Sequence, residues 1–112
     1  MSALAALEVL FDRSPGRPLP LPKPLVRVYG PLRLPRDPGQ PHVFGNFATT
    51  LDGVVSLQVP GRSGGGEITG ADAHDRLLMG LLRAAADVVI VGAGTLRAVP
   101  RHRWTAQHIY PP

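Results

Sequence analysis

The sequence predicts an α/β domain, and three observations predict it. Val88–Val91 is a continuous apolar run that follows an amphipathic helical stretch. Gly92–Thr95 is a glycine-rich turn that opens a further helix. Upstream, Val43–Thr50 carries β-branched and aromatic residues in loose alternation. The resulting order is strand, loop, helix, buried strand, turn, helix start. That order implies a parallel strand pair joined by a right-handed crossover.

The elements follow in chain order. Ser2–Phe11 reads as a short helix, with Leu4, Leu7 and Phe11 on one face. Residues 14–40 read as a proline-rich linker or arm, because proline fixes φ and removes an N–H donor. Within it, Leu25–Tyr29 is strand-like and is assigned to a sheet edge. Val43–Thr50 is the first strand of the domain, Leu51-Asp52-Gly53 turns the chain, and Val54–Val59 is a second extended segment. Pro60–Gly66 is a loop rich in glycine. Thr69 with Asp72 has the spacing of a capping box, so a helix is expected from Thr69 to about Ala86. Its Leu77, Leu78, Leu81, Leu82 and Ala85 share one core-facing stripe. Gly80 interrupts that helix, which suits close packing on a neighbour. Val88–Val91 is the strand covered on both faces. Leu96 begins another helix that Pro100 cuts short.

Composition bounds the function. At 112 residues the chain holds at most one domain of ordinary size. Nine of its 13 prolines lie between Pro15 and Pro41, which sets a leader, residues 1–41, apart from a domain portion, residues 42–112. With no cysteine, disulfide frameworks, thiol chemistry and cysteine-ligated zinc are excluded. The apolar opening, Met1–Phe11, is too short for a membrane span and lacks a basic leader. A soluble, cytoplasmic protein without a membrane partner is expected. The net charge is +4, and arginine supplies most of the basic residues. Those arginines are scattered, and few aromatics accompany them, which argues against nucleic acid and for a small phosphorylated ligand.

Three constellations carry possible chemistry. A strand emptying into Gly92-Ala93-Gly94-Thr95 at a helix start is an anion site or a plain tight turn. Arg97 stands where a dinucleotide fingerprint has its third glycine or alanine, and there is no P-loop lysine. Residues 46–53, NFATTLDG, combine a polar strand end with the Asp52 carboxylate; they read as a hairpin turn or as a site that protonates a heterocycle. Arg83, near the end of its helix, is favoured there by the dipole or serves as a phosphate clamp. His74, His102 and His108 lack metal-ligand spacing, and His102 is assigned to a solvated basic segment.

Taken together, NFATTLDG, GRSGG and LLRAAADVVIVGAGTLRA resemble the reductase domain of riboflavin-pathway pyrimidine reductases of the RibD type, over residues 42–112. The resemblance implies a dihydrofolate-reductase-like fold, a three-layer α/β/α sheet. It implies reduction of a ribosylaminopyrimidine 5′-phosphate with NADPH. It also implies a homodimer for the complete domain. Asn46, Ser63 and Arg83 then match substrate contacts, with Arg83 on the phosphate. Ala48, Thr49, Gly92, Ala93, Gly94 and Thr95 match the cofactor side, and Asp52 matches the catalytic aspartate of the family's turn. Ala98-Val99 depart from the pattern, since many members carry an acidic residue there. No zinc-deaminase motif is present.

The resemblance also implies a second half, with further strands, another glycine-rich loop and a glutamate near the substrate. The chain is accordingly expected to be the first half of the domain. Hydride transfer holds donor and acceptor carbons about 3–3.5 Å apart, which half a site does not achieve. The alternative expectation is a non-catalytic, truncated or split nucleotide-binding fragment that needs a partner chain.

Overall fold

The computed structural model describes residues 4–35, 37–60, 62 and 64–110. The chain divides into two compact units, Met1–Gly45 and Asn46–Pro112. It is a small mixed α/β structure, with five helices and a two-stranded sheet among the described residues.

In the first unit, β1 (Arg17–Pro18) pairs antiparallel with β2 (Arg33–Leu34), Arg17 opposite Leu34 and Pro18 opposite Arg33. Leu19 N–H continues the pairing to Leu32 C=O at 2.8 Å. Gly16 is required at the entry: its φ is +99°, and a Cβ there would sit 2.6 Å from the Leu34 carbonyl oxygen. Between the strands lies α1 (Lys23–Tyr29), which ends on Gly30 at φ 85°. Leu32 is buried where these pieces meet.

Two expectations fail in this unit. Leu25–Tyr29 is helical rather than an edge strand. The prolines explain it: Pro22 stands at the N-cap and Pro24 in the first turn, where a missing N–H costs nothing and the fixed φ suits a helix. The expected N-terminal helix does not form over its described part, residues 4–11. That segment is extended and is tied down by Leu7 N–H to Val28 C=O at 2.8 Å. A helix of that length is marginal in water without a packing partner. Ser2 lies outside the described residues.

The second unit is built on α3 (Ala73–Ala85). Before it come α2 (Gly65–Thr69), then Gly70 and Ala71, both at positive φ. After it come α4 (Ala93–Ala98) and α5 (Ala106–Ile109). Helix α3 begins three residues later than the capping box implied. Its N-cap is Asp72, whose carboxylate accepts the His74 and Asp75 N–H groups at 2.9 and 3.0 Å. Thr69 instead ends α2, because Gly70 in the left-handed conformation closes that short helix first. The glycine-rich loop is correspondingly part helix, since Gly65 and Gly66 open α2.

The apolar stripe of α3 faces inward as expected: Leu77 and Leu81 are buried, and Leu78, Leu82 and Ala85 are half-buried. Its partner is α5 rather than a sheet. Arg76 donates from Nε and Nη2 to the Ile109 carbonyl at 3.2 and 3.0 Å. Gly80 allows the approach, because a Cβ there would lie 2.9 Å from Tyr110 Cβ.

The segments expected as strands, 43–50, 54–59 and 88–91, form no ladder. Val88 and Ile90 are 76% and 85% exposed. A strand exists only through its pairing, and among the described residues no strand pairs with these segments. Gln58, at φ 53°, breaks the second of them. The sole sheet among the described residues is antiparallel, not the parallel pair that the element order implied.

Candidate functional site

The expected site residues fall into three places in the second unit. The first is the turn at Thr50–Gly53. Gly53 N–H donates to Thr50 C=O at 3.0 Å, and Thr50 N–H donates to Val54 C=O at 3.0 Å. The Thr50 hydroxyl donates to the Asp52 carboxylate and accepts Val54 N–H at 3.0 Å. Gly53 sits at φ 89°. The local reading of LDG as a tight turn is therefore realised, and Asp52 is exposed with its carboxylate engaged by Thr50. Asn46 and Thr49 are also exposed. Ala48 is half-buried and faces Gly65, where a Cβ would stand 3.9 Å from Ala48 Cβ. Ser63 lies outside the described residues.

The second place is the start of α4. Gly92 is its N-cap at φ −69° and ψ 145°, with no side-chain cap. The first-turn N–H groups of a helix lack intrahelical acceptors and point outward. A Cβ at Gly92 or at Gly94 would meet no atom within 4 Å, so the turn is open rather than packed shut. Ala93, Gly94 and Thr95 are exposed. Helix α4 ends at Val99, just ahead of Pro100, as expected.

The third place surrounds Arg83, and here the structure adds what the sequence left dispersed. The chain after α4 folds back on α3. Arg83 Nη1 lies 3.4 Å from His102 Nε2. Its guanidinium carbon stands 5.1 Å from the centre of the Trp104 ring, within cation–π range. The His102 ring meets Trp104 edge-on at 4.5 Å between centroids and His108 at 4.8 Å. His102 is therefore half-buried in a cluster, not part of a solvated basic segment. The reason is tertiary: Thr105 caps α5 through its hydroxyl, and α5 docks on α3 and carries the rings with it. Burial first, then the Arg83 guanidinium and His108, hold the His102 imidazole below the ordinary histidine range. Burial likewise lowers the pKa of Arg83 from its usual value. The ion pairs among the described residues join Asp12 to Arg33, Glu67 to Arg62 and Asp72 to His74; none includes Arg83. Trp104 and His108 had no functional assignment from sequence. The signal available for them was the Thr105 cap at the start of T-A-Q-H, which marks a helix that brings His108 back toward the chain.

Asp52 and Arg83 share no hydrogen bond or ion pair; each is engaged in its own cluster. A separate open hollow of about 430 Å³ lies in the first unit, walled by Leu7, Phe11, Tyr29 and Leu32. Asp12 and Arg33 in its wall pair at 3.9 Å, and none of the expected site residues lines it. Among the described residues, no group of three or more His, Asp or Glu side chains is placed to hold a metal ion. No helix among them is long and apolar enough to cross a membrane.

Comparison with protein-family models, with curated proteins and with solved structures gives no match.

Proposed function

We propose that this chain belongs to an NADPH-dependent reductase of a ribosylaminopyrimidine 5′-phosphate, of the riboflavin-biosynthesis type, with a dihydrofolate-reductase-like three-layer sheet in the complete domain. The observation that carries the reading is the open start of α4. Two glycines there leave space above outward-pointing N–H groups, the arrangement that accepts a phosphate of a dinucleotide. Gly92, Ala93, Gly94 and Thr95 then hold the cofactor phosphate, and Ala48 and Thr49 border the nicotinamide. When bound, NADPH would supply a hydride to the ribosyl anomeric carbon, whose bond to the ring oxygen would open as that oxygen takes up a proton. Asp52 handles the proton, with Thr50 orienting its carboxylate. Arg83 meets the substrate phosphate, with Asn46 and Ser63 as further substrate contacts. The enzyme acts in the cytoplasm as a homodimer.

A second reading is favoured by the apolar surface on view. Phe47 is 77% exposed, and Val88 and Ile90 are more than three-quarters exposed. Large apolar side chains left in water become a docking surface where a partner covers them. On this reading the chain binds nucleotide without catalysis and completes its sheet with a partner chain, which pairs the 88–91 segment.

NADPH fluorescence, titrated with this chain, tests the first point. Binding is expected, and Gly94→Asp should weaken it about tenfold or more, since a carboxylate would replace the bound phosphate's charge. The same substitution favours the helix start, so α4 should persist. NADPH binding that is equal in the parent and in Gly94→Asp would overturn the assignment of this turn. Oxidation of NADPH with the pyrimidine substrate, measured on a chain extended by the missing half of the domain, separates the reductase from the binding-only reading.

A further inference from the structure

The Arg83 cluster has a feature that neither helix packing nor the reductase reading uses. Three basic groups are drawn together, and among the described residues no carboxylate pairs with any of them. Arg83 comes from α3, His108 from α5 and His102 from the segment between α4 and α5. Each group is reachable, since Arg83 and His102 are half-buried and His108 is exposed. Charges of one sign repel at such distances, and an anion seated among these groups would gain attraction with each proton taken up.

We propose that Arg83, His102 and His108 form a proton-gated site for a phosphate monoester dianion. The clause about Arg83 rests on the substrate-phosphate reading above; the two histidines and the gating are additional. The guanidinium provides a permanent charge and a forked donor. The imidazoles provide two more donors only when protonated. The Trp104 ring stands 5.1 Å from the Arg83 guanidinium carbon, and Arg83 Nη1 lies 3.4 Å from His102 Nε2, so an anion would share the guanidinium with that imidazole.

The groups that set the titration are few. His102 faces Arg83 across to α3 and His108 across to α5. Arg101 and Arg103 flank it in sequence. Arg76, also on α3, is committed to the Ile109 carbonyl. All these neighbours are basic, so an anion reverses the local field. Binding therefore tightens as the pH falls through the histidine range, and the bound anion draws both imidazoles toward the charged form.

Sulfate is the suitable probe, because it keeps its double charge across this range and leaves every titration to the protein. The imidazole resonances of this chain are followed by NMR against pH, in sulfate and in chloride at equal ionic strength. His102 and His108 should titrate higher in sulfate by roughly 1, while His42 and His74 stay put. Sulfate affinity should fall about tenfold or more between about pH 5.5 and about pH 8. Ribose 5-phosphate should displace it. His108→Gln, at an exposed position, should keep the circular dichroism of the parent and lose most of the pH dependence. Arg83→Gln should lose binding at both pH values. Equal sulfate effects on all four histidines, no effect on any, or unchanged binding in a His102→Gln/His108→Gln chain would each overturn the site. NADPH titrated into the same samples separates the two proposals. NADPH binding without the sulfate response leaves the reductase reading and removes this one. The sulfate response without NADPH binding does the reverse.

Discussion

At Gly80 the helix α3 and the chain end approach within the reach of a single methyl group. Alanine normally stabilises a helix interior by about 0.5–1 kcal/mol over glycine. Here its Cβ would lie 2.9 Å from Tyr110 Cβ and 3.5 Å from Ile109 Cγ2. Tyr110 Cβ is fixed to the backbone and cannot swing away without moving the end of α5. Overpacking of this kind costs about 1–3 kcal/mol, so Gly80→Ala should be destabilising by roughly 1 kcal/mol in urea unfolding. A rise in stability would show that α5 is free to move. Asp72 is the other residue whose role is local and testable. The Asp75 N–H bond, chiefly, holds its carboxyl below the usual value of 3.8. A lowered folded pKa means that the unfolded chain binds the proton more readily. The cap therefore contributes fully above the ordinary aspartate range and is lost as pH falls through the lowered value. Asp72→Ala should reduce helicity at 222 nm near neutral pH, and it should erase the part of the acid transition below about pH 4 that belongs to this cap.

At the scale of elements, the sequence is most legible where the signal is local. Helix α3 was legible from the spacing of its leucines, and α4 from a glycine before it and Pro100 after it. The turn at Thr50–Gly53 was legible from Asp-Gly alone. The failures are of two kinds, a local capping signal read as strand propensity and a pairing that only tertiary structure supplies. LVRVY reads as strand by propensity, yet Pro22 and Pro24 start a helix there, because capping geometry outweighs a weak β preference. VVIV reads as a buried strand, yet strand formation needs a second strand at hydrogen-bonding distance, and none stands beside residues 88–91. The cluster at Arg83 was illegible for the same reason. Arg83 and His102 are 19 residues apart, and only the docking of α5 on α3 joins them.

At the scale of the whole molecule, each unit rests on very few buried apolar side chains. Leu32 serves the first, and Leu77 and Leu81 serve the second. Leu81→Ala should therefore cost about 2–3 kcal/mol, a large share of the stability of so small a unit. Thermal or urea unfolding of the second unit should shift strongly, and helicity of residues 73–85 should fall with it. A change below about 0.5 kcal/mol would mean that the α3–α5 contact is not what holds this unit. Meanwhile Leu10, Phe11, Leu51, Val88 and Ile90 face outward. That distribution is the reason a partner chain stays among the readings of function.

The sequence by itself determined the Asp-Gly turn and the helical stripe, because each depends on residues within a few positions of one another. It also determined the chemistry on offer: arginine and histidine without cysteine, and glycines at a helix start. Tertiary structure decided which apolar runs are covered and which basic side chains meet. Both depend on contacts between residues far apart in the chain, and propensity carries no information about a neighbour that folding must supply.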